Sequence, residues 1–134
     1  EGEAPKKAPK KAPSPKEGPS QKKATTAVEV LRWVFGHASF RPGQEWAIDR
    51  TLRGASSLVV LPTGSGKSIC YQVPACLVEG VVVVVSPLVA LIDEQLARLP
   101  PELPAVSLSG SASLEERLRS LDDLKEGRAK VVFT

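Results

Sequence analysis

Long apolar runs, cysteines and charge imbalance in the main body are all scarce in this chain. The longest apolar run is "VVVVV", Val81–Val85, far below the roughly 18 residues that a membrane-spanning helix needs. No stretch has the layout of a signal peptide. Two cysteines, Cys70 and Cys76, are present. Their spacing matches no zinc site, and they flank a segment that reads as buried. Reduced packing thiols, as in an intracellular protein, are the expectation. The first 23 residues contain one apolar type, alanine, together with five of the twelve prolines.

Charge is distributed unevenly. The net charge is +3 over 134 residues. Residues 1–23 hold seven lysines against three acids, a net +4, so the remaining 111 carry −1. Basic character therefore belongs to the start. Residues 1–24 read as a disordered Lys/Pro/Ala-rich tail that cannot bury enough surface to offset its ordering entropy. The repeat "KKAPKKAP" suits a solvated linker, a phosphate-contacting arm or a nuclear-import signal, and all three stay open.

From Thr25 the pattern becomes ordered. Thr26 and Glu29 make a capping box ahead of Val30, Leu31, Val34 and Phe35, with Gly36 as the stop. A second helix starts around Pro42, carries Trp46, Ile48 and Leu52, and ends near Gly54. Trp46 is expected in the core. "LVVL" (58–61) reads as a strand, "PTGSGKS" (62–68) as a turn, and Lys67 onward as a helix that Pro74 should break or kink. "VVVVV" lacks polar alternation, which predicts burial on both faces of a parallel sheet. Ser86-Pro87 should cap a helix through Leu99. "AVSLS" (105–109) is a weaker strand. Ser113 with Glu116 opens a helix to about Glu126, and "KVVFT" (130–134) begins a fourth strand. The order predicts a doubly wound α/β domain, with ligands at the carboxyl ends of the strands.

The turn carries chemistry. A nucleoside triphosphate must be gripped by many weak donors at once. Successive N–H groups in a tight turn do this, and Gly64 and Gly66 permit the turn. The next helix adds its positive end. Lys67 reaches the β- and γ-phosphates, and the Ser68 hydroxyl ligates Mg²⁺. Thr63 and Ser65 complete the loop. The full phosphate-loop pattern wants glycine five residues before Gly66, where this chain has Leu61. The alternative is a chance glycine-rich loop, which the flanking strand and helix signals argue against.

Three segments, in order, resemble the start of a RecQ-family helicase core, most like its vertebrate Q4-type branch. "FGHASFRPGQE" is similar to that family's adenine-recognition motif, "LVVLPTGSGKSICYQVPA" to its motif I and "VVVSPLVALIDEQ" to its motif Ia. The likeness continues more loosely to Thr134. It implies a partial RecA-like P-loop domain over residues 25–134, truncated before the family's DExH motif. It also implies a 3′-to-5′ DNA helicase that uses ATP and Mg²⁺ on single-stranded or forked DNA, in repair, recombination or replication. The expected location is the nucleus, with the cytoplasm as an alternative.

The resemblance assigns roles residue by residue. Gln44 would read the adenine edge, Arg41 would stack on the base, and His37 stands where relatives carry a stacking aromatic. The alternative for His37 is a surface loop residue. Ser86, Pro87 and Leu88 would touch the DNA backbone; a plain N-cap is the other reading of Ser86. "LVALIDEQ" imitates an acid-tipped Walker B strand. Ser86-Pro87 instead predicts a helix there, which leaves Asp93 and Glu94 as surface acids.

The acid pair that would activate water lies, by resemblance, beyond the strand at Lys130. A second lobe is also outside the likeness. This stretch alone is therefore expected to bind ATP weakly, without efficient hydrolysis or unwinding. Its incomplete Val-rich sheet edge predicts poor solubility. Two other readings remain. One is a different P-loop enzyme, such as a nucleotide kinase, which would need neither the adenine motif nor "SPL". The other is a basic-tailed chromatin or replication adaptor with a degenerate ATPase domain, against which the intact Lys67-Ser68 speaks.

Overall fold

The computed structural model describes residues 24–134. The expected disordered tail, Ala24 apart, lies outside them. Ala24 itself packs against the first of two core clusters.

Among the described residues, three helices precede the sheet. α1 (Ala27–Trp33) opens on the anticipated capping box, with the Thr26 hydroxyl accepting from the Glu29 N–H and the Glu29 carboxylate accepting in return. Such a cap stabilises a helix by about 1 kcal/mol. Gly36 takes a left-handed conformation, φ 71°, and the His37 N–H then bonds the Leu31 carbonyl. α2 (Gln44–Leu52) follows Gly43, whose φ of 86° turns the chain into the helix. α3 (Ile69–Leu77) runs through Pro74 and ends one turn later. The predicted break is thus not seen. Pro74 forgoes the hydrogen bond to Cys70, but its ring is fully buried, and packing offsets the loss. Val30, Leu31, Ile48, Ile69 and Val73 join the three helices in one apolar cluster.

The sheet has three parallel strands in the order β1-β3-β2. β1 is Val82–Val84, β2 Ala105–Ser107 and β3 Val131–Phe133. Val82 pairs with Val131 and Ala105 pairs with the same residue from the other side. Helix α4 (Val89–Arg98) connects β1 to β2, and α5 (Leu114–Lys125) connects β2 to β3. α5 opens on the second anticipated capping box, Ser113 with Glu116. The last strand of the chain is therefore the central one. Val131 and Phe133 meet Ala75, Ile92 and Leu103 in a second cluster, and the Tyr71 ring stands edge-on to Phe133 at 6.3 Å.

Four expectations need correction. Leu58–Leu61 forms no helix and belongs to no ladder among the described residues, with Leu58 85% and Val60 82% exposed. A strand exists only when a neighbour takes its N–H and C=O groups, and none does so here. β1 is not buried on both faces. Val82 and Val84 face the second cluster, whereas Val83 is 61% exposed, because β1 is an edge strand covered on one side. Trp46 is not a core residue: it is 55% exposed, with the Arg50 guanidinium 5.9 Å above its ring. Ile48, two positions on, turns to the core instead. Ser86 does not cap α4, which begins after Leu88 without a side-chain cap. Asp93 and Glu94 lie exposed on α4, as expected.

Both cysteines are free thiols. Burial pushes Cys70 up, and Cys76 is pushed up to about 11, by burial first and by Glu102 second. No helix among the described residues is long and apolar enough to cross a membrane.

Candidate nucleotide-binding site

A cavity of about 450 Å³ opens where the start of α2 meets the turn before α3. His37, Arg41 and Gln44 line it from one side, and Thr63, Gly64, Gly66, Lys67 and Ser68 from the other. Residues 19 or more positions apart are thus brought into one site. Ser65 does not line the cavity. Its hydroxyl donates to the Pro62 carbonyl at 2.6 Å and braces the turn from behind.

The two sides are tied together by hydrogen bonds. Gln44 is 3% exposed. Its Oε1 accepts from the Arg41 N–H at 2.8 Å, and its Nε2 donates to the Gly66 carbonyl at 2.9 Å and to the Ser65 carbonyl at 3.4 Å. Arg41 Nη1 donates to the Gly64 carbonyl at 2.8 Å. A trans peptide holds its C=O and N–H on opposite sides. Pulling the Ser65 and Gly66 carbonyls toward Gln44 therefore turns the Gly66 and Lys67 N–H groups away from it. The N–H groups of Gly64, Gly66, Lys67 and Ser68 have no protein acceptor among the described residues. Four consecutive or near-consecutive unsatisfied donors around two glycines at φ 77° and 79° form an anion-binding nest.

Gly66 is required twice over. Its φ is left-handed, and a Cβ there would stand 2.5 Å from Gln44 Nε2. The departure at Leu61 also has a physical setting. Its Cδ2 lies so close to Gly43 that a Cβ on Gly43 would meet it at 3.1 Å. A glycine at the start of α2 thus makes room for the leucine that stands where the full loop pattern has glycine.

Ser68 sits at the head of α3 with no capping hydrogen bond from its side chain, and it lines the cavity with Lys67. That fits one protein oxygen on a Mg²⁺ ion whose other ligands are phosphate oxygens and water. No group of three or more His, Cys, Asp or Glu side chains able to hold a metal comes together among the described residues.

Ser86, Pro87 and Leu88 lie elsewhere, past the carboxyl end of β1. The Ser86 N–H bonds the Thr134 carbonyl, and its hydroxyl accepts weakly from the Leu88 N–H at 3.4 Å. Leu88 is 57% exposed. This corner is open, with its hydroxyl held only by neighbouring backbone. Motif reading missed Ser39, Ile69 and Arg98 on the cavity wall. Ile69 follows the loop directly. Arg98 is 31 residues past Lys67, and no local pattern connects them.

The sequence profile of the DEAD/DEAH box helicases matches residues 41–134. The chain belongs to the DEAD/DEAH box helicase family. Among curated relatives, it is 49% identical over 105 residues to ATP-dependent DNA helicase Q-like 5 of Arabidopsis thaliana, covering 78% of this chain and 12% of that protein. It is 43% identical over 109 residues to ATP-dependent DNA helicase RecQ of Pasteurella multocida, covering 81% of this chain and 17% of the relative. It is 42% identical over 122 residues to human ATP-dependent DNA helicase Q4, covering 87% and 10%. The resemblance drawn from the three motifs is borne out. The chain spans under a fifth of the length of each of these relatives.

Proposed function

We propose that residues 25–134 are the nucleotide-gripping part of an ATP-dependent DNA helicase. The observation that carries this is the joining of an unsatisfied N–H nest to a base-facing wall through Gln44 and Arg41. In this reading the nest and Lys67 hold the triphosphate. Ser68 holds Mg²⁺, which draws charge from the β- and γ-phosphates when bound. Arg41 stacks on adenine beside His37. Gln44 offers its amide to the adenine edge, which asks Nε2 to share or exchange its bond to Gly66. Base occupancy is then felt directly by the loop that holds the phosphates.

The relatives are named ATP-dependent DNA helicases, which supports DNA as the substrate; its single-stranded or forked form and 3′-to-5′ translocation by the longer protein rest on the motif resemblance alone. Ser86, Pro87 and Leu88 are assigned to the DNA backbone. Hydrolysis and unwinding belong to the longer protein, acting in repair, recombination or replication, with the nucleus as its place. Competition for a fluorescent ATP analogue tests the base assignment. ATP should displace it at least tenfold better than GTP, and Gln44→Ala should erase the difference. Equal displacement by both nucleotides would refute the role of Gln44.

A further inference from the structure

We propose that Arg98 is a third cation for the nucleotide's polyphosphate, contributed by a helix outside the three motifs. The inference rests on the nucleotide reading of the cavity. Among the described residues, three cationic side chains line that cavity, Arg41, Lys67 and Arg98, and no carboxylate does. A wall of one sign, at a nest of free N–H groups, selects a polyanion. Arg41 is committed to the Gly64 carbonyl at 2.8 Å. Arg98 has no backbone partner among the described residues, only the exposed carboxylate of Glu94.

Its placement is held by packing rather than by chance extension of a long side chain. Gln95, one turn earlier on α4, accepts from the Tyr71 hydroxyl of α3 at 2.8 Å. Residues three apart share a helix face. The bond that docks α4 beside the first turn of α3 therefore sets Arg98 at the mouth of the cavity. Its carboxylate partner is Glu94, in an i,i+4 ion pair with side chains 76% and 49% exposed. Such a pair is weak in water. A phosphate offers the planar guanidinium two oxygens and more charge, and so competes well for it. Glu94 holds Arg98 ready when the site is empty and gives it up when the nucleotide arrives.

Isothermal titration of Mg–ATP and of adenosine into the wild-type chain, Arg98→Ala, Glu94→Gln and the double variant tests this. Both side chains are exposed, so the fold should tolerate the changes. Arg98→Ala should weaken ATP about tenfold, a charge-assisted hydrogen bond at an open site, and leave adenosine within about twofold. Glu94→Gln should tighten ATP about twofold, and this gain should vanish in the double variant. An ATP loss below twofold in Arg98→Ala, or an equal loss for adenosine, would overturn the proposal while leaving the nucleotide reading intact. Failure of the wild-type chain to bind either ligand would overturn both.

Discussion

Leu58–Leu61 and Val131–Phe133 are both short, wholly apolar runs, and they meet opposite fates. Val131–Phe133 is the central strand, with Val131 and Phe133 at 0% exposure and partners on both sides. Leu58–Leu61 joins no ladder among the described residues and leaves Leu58 and Val60 in solvent, yet it leads directly into the turn that lines the cavity. Burial of a strand is decided by what lies beside it, not by its own letters. The apolar run ahead of the glycine-rich turn is held instead at its carboxyl end, by the closeness of Leu61 to Gly43 and by the Arg41 and Gln44 bonds just beyond.

The contrast yields graded tests. Phe133→Ala should cost about 3–5 kcal/mol by urea unfolding, the usual range for emptying a core aromatic. Leu58→Ala in the same assay should change stability by less than about 0.5 kcal/mol. Similar costs for the two would end the comparison. Gly66→Ala should cost about 1–3 kcal/mol from the left-handed backbone, and should also weaken nucleotide binding as Gln44 is displaced. Ser113→Ala and Thr26→Ala should each cost about 1 kcal/mol, since each deletes a capping bond far from the site.

Acid sharpens the last pair. Glu29 is held below the usual carboxylate range by the backbone and hydroxyl of Thr25 first, and by Thr26. Glu116 is held down by the Ser113 backbone first. A depressed folded pKa gives stability that is present above the unfolded value and lost as pH falls through the folded one. Helicity followed by circular dichroism should therefore decline at the acid end, and Glu29→Gln with Glu116→Gln should flatten that decline. An unchanged slope would show that other groups control it.

Much of this was legible in the sequence because its causes are local. Both capping boxes, the turn glycines and the helix that carries Asp93 and Glu94 on its surface need only neighbours within four residues. The loop residues from Thr63 to Ser68 were legible because a phosphate loop imposes its own spacing, whereas His37, Arg41 and Gln44 were singled out only by the family resemblance. What escaped was non-local. Whether Trp46 or Ile48 faces the core depends on where α3 lies. The exposure of Val83 depends on which side of β1 is covered. Pro74 survives inside α3 because the core accepts its ring. Arg98 reaches the cavity only through the Tyr71–Gln95 bond, which joins residues 24 apart.

The proposed grip on a triphosphate runs through Lys67 and the free N–H groups of the turn before α3. Mg–ATP titrated into the wild-type chain and into Lys67→Ala is the decisive experiment. Wild type should bind measurably and the variant should lose at least tenfold, with adenosine bound alike by both. Equal ATP affinity in the two chains would rule the grip out.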